Sequence, residues 1–389
     1  MRTFFELIIR ELNLFRKNTV ILAIFIAAPI AYALLTGSIY KDAKIYDLPI
    51  VVADLDETPF GDKIIDALDD NQYLKVAAVK HEKCDFKHEI LKNNYLAVIT
   101  IPKGFQADIE QKRHPEINAE INGGNMLTAN YASTGIMNVL ATANAGFEIG
   151  ALQKEGMPSA IAVEQFESFQ INIARFYNPA SNYLMFLWPG ILGTIMQQVF
   201  LLAMALSFAQ EFETGKFAEL LSHTKSALFM LAVKSIPYLI IGLLLWFPLM
   251  RIFMPIFHVP IIEAGGAYWL VSGLFVLSLT FMGTAVSIAF PSQLKATEIL
   301  MIIATPSFII SGQTWPLIQM PVWVQNIAAC IPLTHYLEAF RRLLLFKAGI
   351  ADILPQITAL SIIAGITFII AFILLKIKIK KSLKPIIVS

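Results

Sequence analysis

Six stretches of this 389-residue chain are too apolar for a water-soluble fold to absorb, and the rest of the sequence has to be arranged around them. Residues 19–37, 183–208, 227–247, 268–290 and 354–375 contain no Asp, Glu or Arg, and a single lysine, Lys234, interrupts them. A bilayer core about 30 Å thick takes roughly 20 apolar residues in helix, because backbone groups left unpaired in lipid cost several kcal/mol each. These five segments meet that length, and Lys234 lies near enough to one end to snorkel toward water. The sixth, 299–312, is short. It leads into an apolar stretch, 313–346, broken by Pro316, Pro321 and Pro332, which reads as an outer re-entrant hairpin rather than a full span. The expected fold class is an α-helical integral membrane protein with six transmembrane helices and an inserted α/β extracytoplasmic domain. Its divisions are an interfacial helix at 1–18, a first span at 19–39, the insert at 40–180, and a membrane domain at 181–389 holding the other five spans.

Charge marks the same boundary. Residues 41–178 hold 20 Asp/Glu against 13 Lys/Arg, and the remainder holds 9 against 17, so a net charge of +1 conceals an acidic insert and a basic membrane part. No basic stripe interleaved with aromatics is present, which excludes nucleic acid as an expected partner. With the N-terminus inside, 13 Lys/Arg fall on inner segments, five of them in the basic tail 376–389, and only Arg251, Arg341, Arg342 and Lys347 fall on short outer loops. Both termini are therefore expected in the cytoplasm and the insert outside. Cys84 and Cys330 are far apart and match neither a redox pair nor a metal site, so no metal is expected in this chain.

Residues 1–18 place Phe4, Phe5, Ile8, Leu12 and Phe15 on one helical face and Arg2, Glu6, Arg10 and Lys17 on the other, the pattern of a helix lying in the membrane interface. A cleaved signal peptide ending at Ala31-Tyr32-Ala33 is the competing reading, though the leading region is long and itself amphipathic. In the insert, strands are expected at 48–53, 73–79, 95–101, 116–121 and 166–176, with helices at 59–68, 85–93, 104–112 and 126–154. Asp54-x-Asp56-x-Thr58 at the end of the first strand resembles the nucleophile motif of haloacid dehalogenase-like phosphatases. The downstream order of Ser/Thr, Lys and an acidic pair fails, because Asp69-Asp70 precedes both Thr100 and Lys103. Pro59 also occupies the position where an EF-hand loop needs glycine. A strand end capping the next helix explains these residues without chemistry.

After the second span, residues 209–225 include Glu211, Glu213, Gly215, Lys216 and Glu219 on a short amphipathic stretch whose apolar side is Phe212, Phe217, Leu220 and Leu221. Three exposed carboxylates there could face a soluble partner, or the stretch is simply a solvated inner loop. Its Glu-x-Glu-x-Gly pattern, followed by Glu and Leu-Leu, resembles the coupling helix of ABC-2 type transporter permeases. Further matches follow in that family's order: Lys234-Ser235-Ile236-Pro237-Tyr238, Phe257-His258-Val259-Pro260, Gln293 with Ala296, and Ser311-Gly312…Pro316…Met320-Pro321…Ile331-Pro332-Leu333-Thr334-His335-Tyr336…Arg341. The strand VVADLDET and Ile101-Pro102-Lys103-Gly104-Phe105 are similar to the outer domain of the drug-exporter-like subgroup with a large insert after the first span. Lys216 in place of the usual Thr, and Ser222-His223-Thr224-Lys225 in place of a Thr-Pro ending, depart from the pattern.

The resemblance implies a bacterial inner-membrane permease subunit of an ATP-driven exporter, moving a small amphipathic or lipid-like substrate outward. It implies an ABC ATPase partner that binds ATP and Mg, a second permease protomer, identical or a paralogue, and in this subgroup a membrane-fusion adaptor and an outer-membrane channel. No Gly-x-x-x-x-Gly-Lys-Ser/Thr loop occurs, so the chain itself is expected to be no enzyme and to carry no cofactor. The implied pathway points to Gln197 and Gln198 in the second span and to Ser311, Gln313 and Trp315 at the outer end of the fifth. The same side chains would serve as well to join helices by hydrogen bonds. Glu338, Arg341 and Arg342, spaced i, i+3 and i+4, fit a local ion pair. Two readings of another kind stay open: a membrane-anchored phosphatase using Asp54 and Asp56, and a non-transporting envelope receptor.

Overall fold

The computed structural model describes residues 2–17, 19–42, 44–166, 176–178, 181–260, 262–263 and 265–383. The chain divides into two units, Met1–Ala43 with Arg175–Ser389, and Lys44–Ala174.

Helix α1 (Arg2–Lys17) opens the first unit. Within the protein it buries Leu7, Glu11 and Phe15, half-buries Phe4 and Ile8, with Phe4 edge-on to Phe229, and leaves Phe5, Ile9 and Leu12 exposed. Glu11 turns the helix, because its carboxylate is drawn inward to two cations described below. The expected first span is three pieces end to end, α2 (Thr19–Leu22), a π-helical turn (Ala23–Ala27) and α3 (Ala28–Ile39). The widened turn falls just before Pro29, whose ring would crowd the carbonyl four residues back in a regular helix. Phe25 in that turn is fully buried, edge-on to Phe15 and Phe200.

In the second unit, β1 (Leu48–Asp54), β2 (Leu74–Lys80), β3 (Ala97–Ile101) and β4 (Asn118–Ile121) form one sheet of order β2-β1-β3-β4. The pairs β1–β2 and β1–β3 are parallel and β3–β4 is antiparallel. Parallel neighbours need crossovers, and α4 (Pro59–Asp69) and α5 (Phe86–Asn93) lie in the connecting segments. Helix α6 (Phe105–Glu110) follows β3 and leads toward β4. Helix α7 (Met126–Lys154) has the predicted bounds. Ile50, Val52, Ile99 and Ile101 meet Ile64 and Leu68 of α4 and Ala132 and Ile136 of α7 in one core. Helix α8 (Ser159–Phe166) packs back on α7 after Gly156, at φ +92°. Phe166 ends that helix, and most of the strand expected at 166–176 lies outside the described residues.

The Asp54/Asp56 pair is structural, but its target differs from the expected one. Asp54 Oδ1 accepts the backbone N–H groups of Asp56 and Glu57, both at 3.1 Å. Asp56 reaches across the sheet end to accept from the N–H groups of Gly104 at 2.7 Å and Gln106 at 2.9 Å, so it caps α6 and not α4. Partial burial opposes ionisation of Asp56, but these bonds and the Thr58 hydroxyl hold its carboxyl below the usual range. Both oxygens thereby accept hydrogen bonds, the arrangement of a cap joining the end of β1 to the start of α6. Asp56→Ala is expected to destabilise this unit by about 2 kcal/mol, the range for lost caps and charged hydrogen bonds. Hydrogen exchange of the full chain checks this, through faster exchange at Gly104 and Gln106 than in the wild type.

The chain continues as α9 (Tyr183–Glu213), α10 (Phe217–His223) and α11 (Ala227–Pro248), then a π turn (Leu249–Phe253) and α12 (Met254–Ile256). Helices α13 (Gly265–Ala289), α14 (Gln293–Ile310), α15 (Val322–Ala329), α16 (Pro332–Leu345) and α17 (Leu354–Ser382) complete it. Among the described residues, five helices are long and apolar enough to cross a membrane: Tyr183–Glu213, Ala227–Ile256, Gly265–Ala289, Gln293–Ile310 and Ala351–Ser382. The apolar helix Ala23–Ile39 is shorter.

Two helices extend beyond the apolar segments expected in them. Helix α9 runs past residue 208 to Glu213, and α14 starts at Gln293, before residue 299, with Lys295 and Glu298 exposed in its first turns. Helices α9 and α13 form the centre, with α14 packed on α9 and α17 on α13. Trp246 of α11 donates to Ser272 of α13 at 2.9 Å, and Phe275 of α13 stacks on Tyr336 of α16 at 4.2 Å. Polar and aromatic groups thus fix helices that share a uniformly apolar surface.

Candidate functional site

Helix α9 ends because Thr214 caps it and Gly215 takes the left-handed conformation, φ +72°. A Cβ at Gly215 would meet nothing within 4 Å, so backbone geometry alone demands glycine there. The turn delivers the chain into α10, which buries Phe217, Leu220 and Leu221 and exposes Lys216 and Glu219. Those apolar residues share a cluster with Leu7 of α1, Phe208 of α9, Met230 and Leu231 of α11, and Leu375 and Ile379 of α17. The Lys378 ammonium of α17 lies 5.3 Å from the Phe212 ring centroid. Ala285 and Ile288 of α13 belong to the same cluster, so the elbow is a joint on which five longer helices converge.

Beneath it lies a buried ion network. Glu211 Oε1 accepts from Lys234 Nζ at 2.6 Å and from Arg10 Nη1 at 3.0 Å. Lys234 Nζ also lies 2.9 Å from Glu11 Oε1, and Arg10 Nη1 lies 3.0 Å from the same oxygen. Arg10 Nε reaches toward exposed Glu219 at 3.6 Å. Lys234 is 1% exposed and Glu11 and Glu211 are each 3%, so the Lys234 pairs are dry, while Arg10 is half-buried at the edge of the network. Charges cancel, two carboxylates against two cations, as burial requires. This corrects two expectations: Lys234 does not snorkel, and Glu211 is not an exposed carboxylate.

Glu213 is exposed, and its Oε2 accepts from the backbone N–H of Gln293 at 3.2 Å and from Gln293 Nε2 at 2.7 Å. Ser292, the N-cap of α14, makes no side-chain capping bond, so Glu213 serves that end of α14 from a different helix. The elbow is thus tied to α1 and α11 through Glu211 and to α14 through Glu213.

The predicted pathway residues lie apart from the elbow and do not form one group. Gln197 is buried and donates to Ser307 of α14 at 2.5 Å, the helix-joining role, and Gln198 is half-buried. Ser311 and Gln313 line a cleft of about 820 Å³ between the start of α9 and the 311–345 hairpin. Trp315 is exposed and does not line it. Glu338 pairs with Arg341 and, at 2.8 Å, with Arg342, as the spacing implies, and Glu338 and Arg341 also line that cleft. Arg10, Glu11 and Lys234 were not among the predicted site residues. The signal for them is a lone lysine inside an apolar span, which demands a carboxylate partner, and a glutamate interrupting the apolar side of α1.

A profile of the family described as "ABC-2 family transporter protein" matches residues 19–373. The chain is 23% identical over 381 residues to the "Inner membrane transport permease YhhJ" of Escherichia coli strain K12, covering 95% of this chain and 96% of that protein. It is 28% identical over 204 residues to the "Probable multidrug ABC transporter permease YbhS" of the same organism, covering 52% of this chain and 54% of the relative. To the "Probable multidrug ABC transporter permease YbhR" it is 20% identical over 272 residues, covering 70% and 71%.

Proposed function

A chain matched over residues 19–373 belongs to the ABC-2 family of transporter proteins, and from that premise we propose that it is the permease subunit of an ATP-driven exporter, driven through its α9–α10 elbow. The observation that carries this reading is the position of exposed Glu213, Gly215, Lys216 and Glu219 directly after Glu211, which joins Glu11 and Lys234 in burial and Arg10 at the edge, with Glu219 itself reaching Arg10. An ATPase subunit pressing on the exposed strip would meet a joint that cannot yield locally. Separating Glu211 from Lys234 would break the shortest contact of a charge-balanced network and leave each ion with one partner in place of two, so α1, α9 and α11 would move together as a rigid group. Glu213 would carry the same displacement into α14.

In this reading two permease protomers and two ATPase subunits make the working unit, in a bacterial inner membrane with both termini cytoplasmic and the sheet unit outside. The cargo in this reading is a small amphipathic or lipid-like molecule, as the subgroup resemblance implies, and two of the relatives carry the name of probable multidrug permeases. Onward transfer to a membrane-fusion adaptor and an outer-membrane channel rests on the subgroup resemblance alone.

Reconstitution with the ATPase subunit tests the elbow. Glu213→Ala combined with Gly215→Val is expected to reduce substrate-stimulated ATP hydrolysis about tenfold, since the valine strains a left-handed residue by roughly 1–2 kcal/mol and the alanine frees α14. Stimulation equal to that of the wild type would reject the assignment.

A further inference from the structure

We propose that the cleft between the start of α9 and the 311–345 hairpin binds the uncharged, hydroxyl-bearing headgroup of an amphipath. As a station on the way out it rests on the export reading; as a binding site it stands by itself.

The cleft holds about 820 Å³, inside the range of roughly 300–1,000 Å³ usual for small-molecule sites. One wall is apolar, made by Phe186, Pro316, Leu317 and Ile318. The other is rich in amides and hydroxyls with hydrogen-bonding capacity left over. Gln313 donates from Nε2 to the Phe186 carbonyl at 2.5 Å, and Gln325 donates from Nε2 to the Met320 carbonyl at 2.9 Å, so each keeps its side-chain oxygen as an acceptor. Thr334 and Gln356 are more than nine-tenths buried, and Thr334 Oγ1 and Gln356 Oε1 have no hydrogen-bond partner. Buried polar atoms are nearly always bonded, so two orphans on residues that line one cleft mark a place where a partner is missing.

Charge and donor count decide the class of ligand. Glu338 and Arg341 line the cleft, but each is held by the other and Glu338 also by Arg342, so an ion would have to break a pair to gain one. Three amide oxygens ask for donors, and the Thr334 hydroxyl can give or accept. Hydroxyl groups do both and carry no charge. A sugar or polyol head with its hydrocarbon against Phe186 and Leu317 satisfies all of these groups at once.

The probe is an octyl glucoside with a photoreactive diazirine in its chain, offered to the full-length protein in lipid nanodiscs. Octyl trimethylammonium and octyl sulfate serve as chain-matched competitors. Label is expected in peptides spanning 311–318 and 332–356, with neither ionic competitor displacing it. Gln356→Leu and Thr334→Val are each expected to raise Kd about tenfold, the factor corresponding to about 1.4 kcal/mol. The melting temperature of these two variants without probe should not fall, because each removes an unsatisfied buried group. That separates lost binding from lost folding. Label spread along α17, equal displacement by an ionic competitor, or wild-type affinity in both variants would overturn the proposal. ATPase coupling of the wild-type complex, measured beside binding, keeps the two readings apart. Binding without ATPase coupling in the wild type removes the export reading and leaves the site, and coupling without binding does the reverse.

Discussion

Replacing Lys234 with methionine is expected to destabilise the membrane unit by about 3–5 kcal/mol, the range for breaking a buried ion pair from one side. Methionine fills nearly the same space, so the loss is electrostatic. Glu11 and Glu211 would face each other with only Arg10 to hold both, in a pocket where Glu211 and Glu11 are each 3% exposed. Adding Glu11→Gln to Lys234→Met restores balance, leaving Arg10 against Glu211, and should recover more than half of the loss. Equilibrium unfolding of the reconstituted protein reads both numbers. A single variant within about 0.5 kcal/mol of the wild type, the range of ordinary surface substitutions, would mean that the network is not buried as described. A double variant no better than the single one would mean that Glu11 and Lys234 do not act as a pair.

That network also marks where sequence reasoning stops. Span positions were legible because hydropathy is local: every residue of 183–208 reports the same solvent, and α9 begins where expected. The βα order of the sheet unit was legible for a similar reason, since strand and helix periods differ within a few residues; β1 lies within one residue of its expected end. Pairing across the chain leaves no such trace. Lys234 and Glu11 are joined over 223 positions, and the sequence offers only the fact that each is out of place on an apolar surface. Glu213 looked like a free carboxylate because its partner, the open end of α14, exists only once two helices are packed. The Asp54/Asp56 motif misdirects in the same way. Residue type suggests a cap on the following helix, whereas the parallel sheet brings a later helix nearer to Asp56. The cleft was half visible, because Ser311 and Gln313 are polar in an apolar run, but Thr334 and Gln356 belong to other helices and join it only by folding.

Gly283→Ala is expected to disrupt the crossing of α9 and α13 and, through it, the elbow, although it changes no residue there. A Cβ at Gly283 would stand 2.5 Å from Met204 Cβ, an atom that no rotamer change can move because it is fixed by the α9 backbone. The two helices must part by about 1 Å to restore ordinary contact, and overpacking of this kind costs roughly 1–3 kcal/mol, offset by the 0.5–1 kcal/mol that alanine gains over glycine within a helix. The crossing is also hydrogen-bonded one turn further on. Ser287 Oγ accepts from the N–H groups of Phe208 and Ala209 at 3.0 and 2.8 Å and donates to the Ala205 carbonyl at 2.7 Å. Separation at Gly283 therefore strains bonds that hold α9 just before it reaches Glu211. The expected result is a net loss of about 1 kcal/mol in unfolding, together with reduced substrate-stimulated ATP hydrolysis in the reconstituted complex. Gly273→Ala, on the same helix with nothing within 4 Å of the new Cβ, should be neutral or slightly stabilising. The decisive comparison is at position 204. Met204→Gly should rescue Gly283→Ala and Met204→Ala should not, since only the former removes the clashing carbon; equal rescue by both would show that side-chain bulk, not backbone approach, sets the distance between α9 and α13.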